Sequence, residues 1–172
     1  MSRLAFVDEI TVRAARPGDG HGIMRCHRDS ARYYVELAPD LFREPDEDGQ
    51  LEFVEPKGEL PDEYLELVAE LDGEIAGHLE ARLEPPLDSA RFQIVSEVGE
   101  TRLFINALAT AEAFKRHGVA TALVEAAEEW GREHGATTAF LDTWVDSPSS
   151  VPFWEDRMGY ERRSIIFRKP LI

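Results

Sequence analysis

The chain has 172 residues, with Asp and Glu outnumbering Lys and Arg by 34 to 19 for a net charge of −15. Its summed field repels nucleic acid and anionic membrane surfaces and draws in cationic partners. No apolar stretch approaches the roughly 20 residues needed to span a bilayer, and Met1 to Arg13 holds no signal-peptide core, so the expected setting is soluble and cytoplasmic.

The length fits a single domain over residues 1–172 with one sizeable core. The lone Cys26 cannot form an internal disulfide and reads as a packed residue rather than a nucleophile.

In chain order, a first strand is expected near Ile10 to Arg13. The turn Pro17-Gly18-Asp19 follows, and Asp19 is placed to cap a helix reaching about Tyr34 or Leu37. Residues 39–61, rich in Pro, Gly and acids, read as an irregular crossing segment with one short strand at Leu51 to Val54. Glu63 to Leu71 and Glu74 to Leu83 read as two strands joined by a tight turn at Asp72-Gly73. Ser89 to Gly99 is open between loop, strand and helix.

The second half reads as a strand over Arg102 to Ala109, a basic loop, a helix, a strand over Thr137 to Thr143, a short helix over Pro152 to Arg157, and a last strand over Tyr160 to Arg168. Strands alternating with helices indicate a mixed α/β or α+β layered fold. Val119, Leu123, Ala126, Ala127 and Trp130 form one apolar helix face, and the helix should end near His134 and Gly135. Gly131 counts as a small propensity cost inside it.

The basic loop is the most informative segment. A strand that feeds a helix start through Lys115, Arg116, His117 and Gly118 offers the unpaired amides of Gly118, Val119, Ala120 and Thr121 to an anion. A hydrogen bond to a charged group contributes about 1.5–3 kcal/mol, against about 0.3–1 kcal/mol for the helix dipole. The amides therefore dominate. The segment fits neither the P-loop nor the three-glycine dinucleotide fingerprint, and taken alone it also reads as an ordinary solvated turn.

In context, LATAEAFKRHGVATALVEAAEEW resembles the acetyl-CoA-binding motif of the GNAT (GCN5-related N-acetyltransferase) superfamily, whose pattern is [R/Q]-x-x-G-x-[G/A] after a strand end. Lys115 stands where Arg or Gln is usual, Gly118 and Ala120 match, and Leu108-Ala109-Thr110 stands for the strand end. SPSSVPFWEDRMGYERR resembles the family's second segment, beside the pantetheine arm, with Ser147 where Asn is frequent, Ser150 where Ala is frequent, and Met158-Gly159-Tyr160 for the Leu-Gly-Phe ending. The resemblance implies a central, mostly antiparallel mixed sheet flanked by helices, with strands 4 and 5 splayed. It also implies acetyl-CoA as co-substrate, no metal, and transfer of an acetyl or other short acyl group to a primary amine of a small molecule or protein.

Such a transfer needs three provisions. A backbone amide must meet the developing oxyanion, which the family supplies at a bulge whose matching residue lies near Leu108. A base must take a proton from the amine, since an ammonium of pKa about 10.4 is mostly charged at neutral pH; Asp142, Asp146 and, less directly, Glu97 or Glu100 are candidates. The departing thiolate needs an acid, and here the chain leaves the family pattern: Trp154 and Glu155 stand where a Tyr is common. Trp154 offers only an indole N–H, and Glu155 would need a raised pKa. Tyr33, Tyr34, Phe42, Trp144 and Asp146 are candidate acceptor-pocket residues, with Tyr33-Tyr34 suited to flank an amine.

Two further readings stay open: a CoA-binding regulatory module without catalysis, and a general nucleotide-phosphate binder. The last strand and its neighbours offer a surface for a homodimer.

Overall fold

The Asp72-Gly73 turn forms as its sequence requires. In the computed structural model, which describes residues 9–171, both turn residues are left-handed, with φ of 55° and 76°. This geometry matches the twist of the strands it joins. Those strands are β2 (Tyr64–Leu71) and β3 (Glu74–Glu84), paired antiparallel. β1 (Thr11–Ala14) adds to the far side of β2, and β4 (Arg102–Thr110) pairs antiparallel with β3. The short β5 (Thr138–Phe140) pairs parallel with β4, giving the order β1-β2-β3-β4-β5. The result is the expected mixed, mostly antiparallel sheet flanked by helices.

α1 (Gly20–Leu37) lies on one face of this sheet and α3 (Val119–Glu133) on the other. Two glycines seat α3. A Cβ on Gly77 would stand 2.5 Å from Val119 Cγ1, and one on Gly131 would stand 3.0 Å from Leu103 Cδ2. Gly131 is thus a packing requirement as well as a propensity cost. Leu79, Leu103, Leu123 and Val124 fill the α3 side of the core, while Cys26, Ala109 and Ala111 are buried together on the α1 side. Burial lifts the Cys26 thiol to about 11, in keeping with a packed residue.

Asp19 occupies the position before α1, but its side chain does not cap the helix. Its carboxylate instead accepts two hydrogen bonds from Arg13, at 2.7 and 2.9 Å, and one from the Arg16 amide at 2.8 Å. Glu70 also accepts from Arg13 Nε at 2.9 Å. The guanidinium fork is the better partner for this carboxylate.

Two other expectations give way, and the segment left open takes form. Leu51 to Val54 is part of a short helix, α2 (Gln50–Val54), which follows a left-handed Gly49. Ser89 to Gly99 forms two single 3₁₀ turns, Ala90–Phe92 and Ser96–Gly99. β5 keeps only three residues of the segment expected between Thr137 and Thr143.

The chain divides into two compact units, at Leu141/Asp142. The second unit starts with turns, then α4 (Ser150–Pro152) running into a π-helical turn, Phe153–Arg157. Tyr160 to Arg168, expected as a strand, has no ladder partner among the described residues and is irregular, with Ile165, Ile166 and Phe167 exposed. An apolar run is a necessary feature of a buried strand and not a sufficient one.

Candidate functional site

The link between β4 and α3 is built from a 3₁₀ turn, Glu112–Phe114, followed by two left-handed residues, Arg116 (φ 67°) and Gly118 (φ 87°). α3 starts immediately after Gly118, and its first intrahelical bond runs from the Ala122 amide to the Gly118 carbonyl at 3.0 Å. The amides of Val119, Ala120 and Thr121 precede that bond and point out of the helix end. A Cβ on Gly118 would reach only Ile10 Cδ1, 3.8 Å away, so the glycine is there for its backbone angle and for an open approach to those amides.

α1 anchors this loop. Asp29 Oδ2 accepts the Glu112 amide at 2.8 Å, Lys115 Nζ lies 5.1 Å from the centre of the Tyr33 ring, and the Arg25 guanidinium sits 5.9 Å from that of Phe114. Lys115 also pairs with Glu112. The His117 ring is held to the Lys115 carbonyl at 2.9 Å.

β4 carries the second feature. Glu80 pairs with Ala107 and Ala81 with Ile105, so Asn106 is the extra residue of a bulge. On its other side, β4 meets β5 only from Arg102 to Phe104. Among the described residues, no strand pairs with that edge from Ile105 to Thr110. The ladder stops there because β5 itself ends at Phe140.

The third feature is the sheet face on the α1 side. Register places Glu66, His78, Glu80, Arg82, Glu84, Arg102 and Phe104 on it. Asn106 Nδ2 donates to Glu80 Oε2 at 2.8 Å. His78 is buried; its Nδ1 lies 2.9 Å from His27 Nε2 and its Nε2 lies 3.1 Å from Glu66 Oε1. Burial, then the neighbouring His78, pushes the His27 pKa down to about 4. Arg82 stacks 4.5 Å from the Phe104 ring centre, and Glu84 bridges Arg82 and Arg102 at 3.1 and 3.0 Å.

The model of the acetyltransferase (GNAT) family matches residues 26–160, well over half the chain. The chain belongs to the GNAT family. No curated protein matches it. Among solved structures, a mutant of the BH1408 protein from Bacillus halodurans is 20% identical, with TM-score 0.76 over 94% of this chain and 99% of that one. A transcriptional regulator from Bacillus halodurans C-125 is 21% identical, with TM-score 0.68 over 95% and 100%. An aminoglycoside acetyltransferase from an uncultured soil metagenomic sample, in complex with sisomicin, is 17% identical, with TM-score 0.58 over 95% and 96%. At these identities the likeness shows a shared GNAT fold.

Within this GNAT domain the strand end Leu108-Ala109-Thr110, the loop Lys115 to Gly118 and the helix start Val119 to Thr121 are contiguous along β4 and α3. The bulge lies at Asn106, two positions before Leu108, the residue near which the family resemblance places it. Tyr33 and Tyr34 are edge-to-face at 5.3 Å and 75°, with Tyr34 also against Phe42 at 5.1 Å. They do not form two parallel walls for an amine, and the face of Tyr33 is already met by Lys115.

Glu97 lies in the 3₁₀ turn Ser96–Gly99 and Glu100 directly after it, where it accepts from the Thr137 hydroxyl, and the other candidates lie in the second unit. Ser147 Oγ accepts the Ser150 amide at 3.0 Å, and Ser150 Oγ is 2.6 Å from Thr143 Oγ1. The Trp144 carbonyl accepts the Ser147 amide at 3.0 Å. Trp154 is buried against the Phe153 and Tyr160 rings, at 5.0 and 5.1 Å. Glu155 is bound by both guanidinium prongs of Arg162, and that hydrogen bonding lowers its pKa, the opposite of what an acid needs. Asp142 and Asp146 lie in the irregular stretch before α4.

Sequence reasoning missed Glu66, His78 and Glu80. The signal was present: from Gly77 to Glu84, apolar or small residues alternate with His78, Glu80, Arg82 and Glu84. Period-two alternation with ionisable groups on a central strand marks a face that is not simply core.

Proposed function

We propose that this chain transfers an acetyl or other short acyl group from acetyl-CoA to a primary amine of a small molecule or protein, by direct attack within a ternary complex. The observation that carries the reading is the continuity of three features along one strand. The bulge at Asn106 opens into a β4 edge that is unpaired on one side from Ile105 to Thr110 among the described residues, and that edge leads into the amides at the start of α3. A free edge of this kind suits the amide-bearing pantetheine arm, while the helix-start amides with Lys115 and Arg116 suit the diphosphate. A backbone N–H at the bulge suits the oxyanion of the reacting carbonyl.

In this reading Glu80 takes the proton from the amine, because its carboxylate is fixed by Asn106 at the bulge. The Glu80 carboxylate suits a cationic acceptor, in keeping with the net charge of −15. Glu155, held by Arg162, does not suit the role of acid to the thiolate.

Incubating the protein with acetyl-CoA and a panel of amines, and following release of free thiol, tests the proposal. Turnover on at least one amine, with kcat falling in Glu80→Gln, supports it. The engagement of Glu155 by Arg162 favours a second reading, a CoA-binding regulatory module. Saturable CoA binding without turnover on any amine would select that reading instead.

A further inference from the structure

The two imidazoles on the α1 side of the sheet are arranged for more than mutual packing. His27 comes from α1 and His78 from β3, and their rings approach with Nε2 and Nδ1 at 2.9 Å and an interplanar angle of 60°. One ligand atom from each of His27, His78 and Glu80 fits within a group whose members all lie within 4.8 Å of one another. Two nitrogens on one tetrahedral zinc ion, at about 2.05 Å each, are about 3.3 Å apart. The observed 2.9 Å lies within about 0.4 Å of that spacing.

We propose that His27 Nε2, His78 Nδ1 and the Glu80 carboxylate form a binding site for a divalent transition ion, with zinc as the best-suited occupant. Two imidazoles and one carboxylate, with a fourth position left for water or a ligand, make a donor set that zinc accepts in tetrahedral geometry. The surroundings supply the outer support that such sites need. Glu66 Oε1 accepts from His78 Nε2 at 3.1 Å, which fixes the tautomer that leaves Nδ1 as a lone pair. Asn106 holds Glu80 by one oxygen only, at 2.8 Å.

Without the ion, the proton on His27 Nε2 bridges to His78 Nδ1. When the ion enters, His27 moves its proton to Nδ1, and the hydrogen bond is replaced by two metal–nitrogen bonds with no change in ring charge. If Glu80 is the proton acceptor of acetyl transfer, a step that rests on the function proposed above, the ion takes it out of use and zinc inhibits the transfer.

Metal-free full-length protein is titrated with zinc by calorimetry and with cobalt(II) by visible absorption, where a tetrahedral site gives intense d–d bands. The expected result is one ion per chain. Loss of the site is expected in His27→Ala, and Glu66→Gln should weaken binding about tenfold. His78 is buried, so His27→Ala and Glu66→Gln, checked by circular dichroism, are the decisive variants. Unchanged zinc binding in folded His27→Ala, binding that disappears instead in a His117→Ala and His134→Ala variant, or no binding to the parent would each overturn the proposal. Product formation followed by mass spectrometry, with and without zinc, is the second readout. If the parent never forms product, the acetyl-transfer reading fails while the metal titrations still decide the site.

Discussion

Lys115 Nζ stands 5.1 Å from the centre of the Tyr33 ring, and through this contact the first helix reaches the loop that opens α3. A cation over an aromatic face contributes about 0.5–1 kcal/mol at an exposed site. Tyr33→Ala should therefore weaken CoA binding about two- to fivefold by calorimetry, and Tyr33→Phe should restore it. The acceptor KM should be unaffected; a selective rise in acceptor KM would return Tyr33 to the acceptor pocket.

Gly118 has φ of 87°, where a side chain is strained. Gly118→Val should cost about 1–2 kcal/mol in stability from that angle and should also remove most CoA affinity by crowding the amides. Gly118→Asn, which tolerates the left-handed region, should recover much of the stability in thermal melts and little of the affinity. Equal recovery of both would mean that the glycine serves the backbone alone.

Gly77 lies under the start of α3, where an added methyl would stand only 2.5 Å from Val119 Cγ1 and 3.2 Å from the Ala109 carbonyl. Gly77→Ala should destabilise the protein by about 1–3 kcal/mol through overpacking, measured by urea unfolding. A neutral result would show that α3 can lift without cost.

Asp19 and Arg13 link β1 to the start of α1. The side-chain hydrogen bond from Arg13, more than any other contact, holds the Asp19 carboxyl below its usual pKa of 3.8. Its folded value is thus below its unfolded one, so its stabilisation is complete above the unfolded value and is lost as pH falls through the folded one. Asp19→Asn should lower neutral-pH stability by about 1.5–3 kcal/mol and flatten the acid limb below pH 3.8. An unchanged acid limb would mean that other carboxylates govern it.

Cys26 is fully buried with its thiol raised to about 11. The native protein should resist alkylation at pH 8, and labelling should become rapid only in denaturant. Fast native labelling would show that α1 opens readily.

The parts of this chain that are punctuated by local rules were legible in advance. The Asp72-Gly73 hairpin, the apolar stripe of α3, its end at His134 and Gly135, and the glycine loop before it all depend on angles or periods that a few neighbouring residues dictate. The failures depend on distant partners. Asp19 was drawn away from its cap by Arg13, which is itself shared with Glu70 on another strand. Tyr160 to Arg168 has strand-like composition but no ladder to join among the described residues. The ionisable face escaped notice because Glu66, His27 and His78 meet only through register and helix packing, across 12 and 51 positions of sequence.

The extra residue in β4 reverses the strand's parity midway. Before it, Leu103 and Ile105 lie opposite Leu83 and Ala81, towards α3; after it, Leu108 lies opposite Leu79 on that same side, an odd number of steps later. Were the bulge straightened with Asn106 kept in the ladder opposite Glu80, Leu108 would swing into the ionisable side and Ala107 and Ala109 beneath α3. Taking up the extra residue as a bulge therefore lets the strand keep Leu108 in the core beneath α3 while Ala107 and Ala109 face Glu80 and His78.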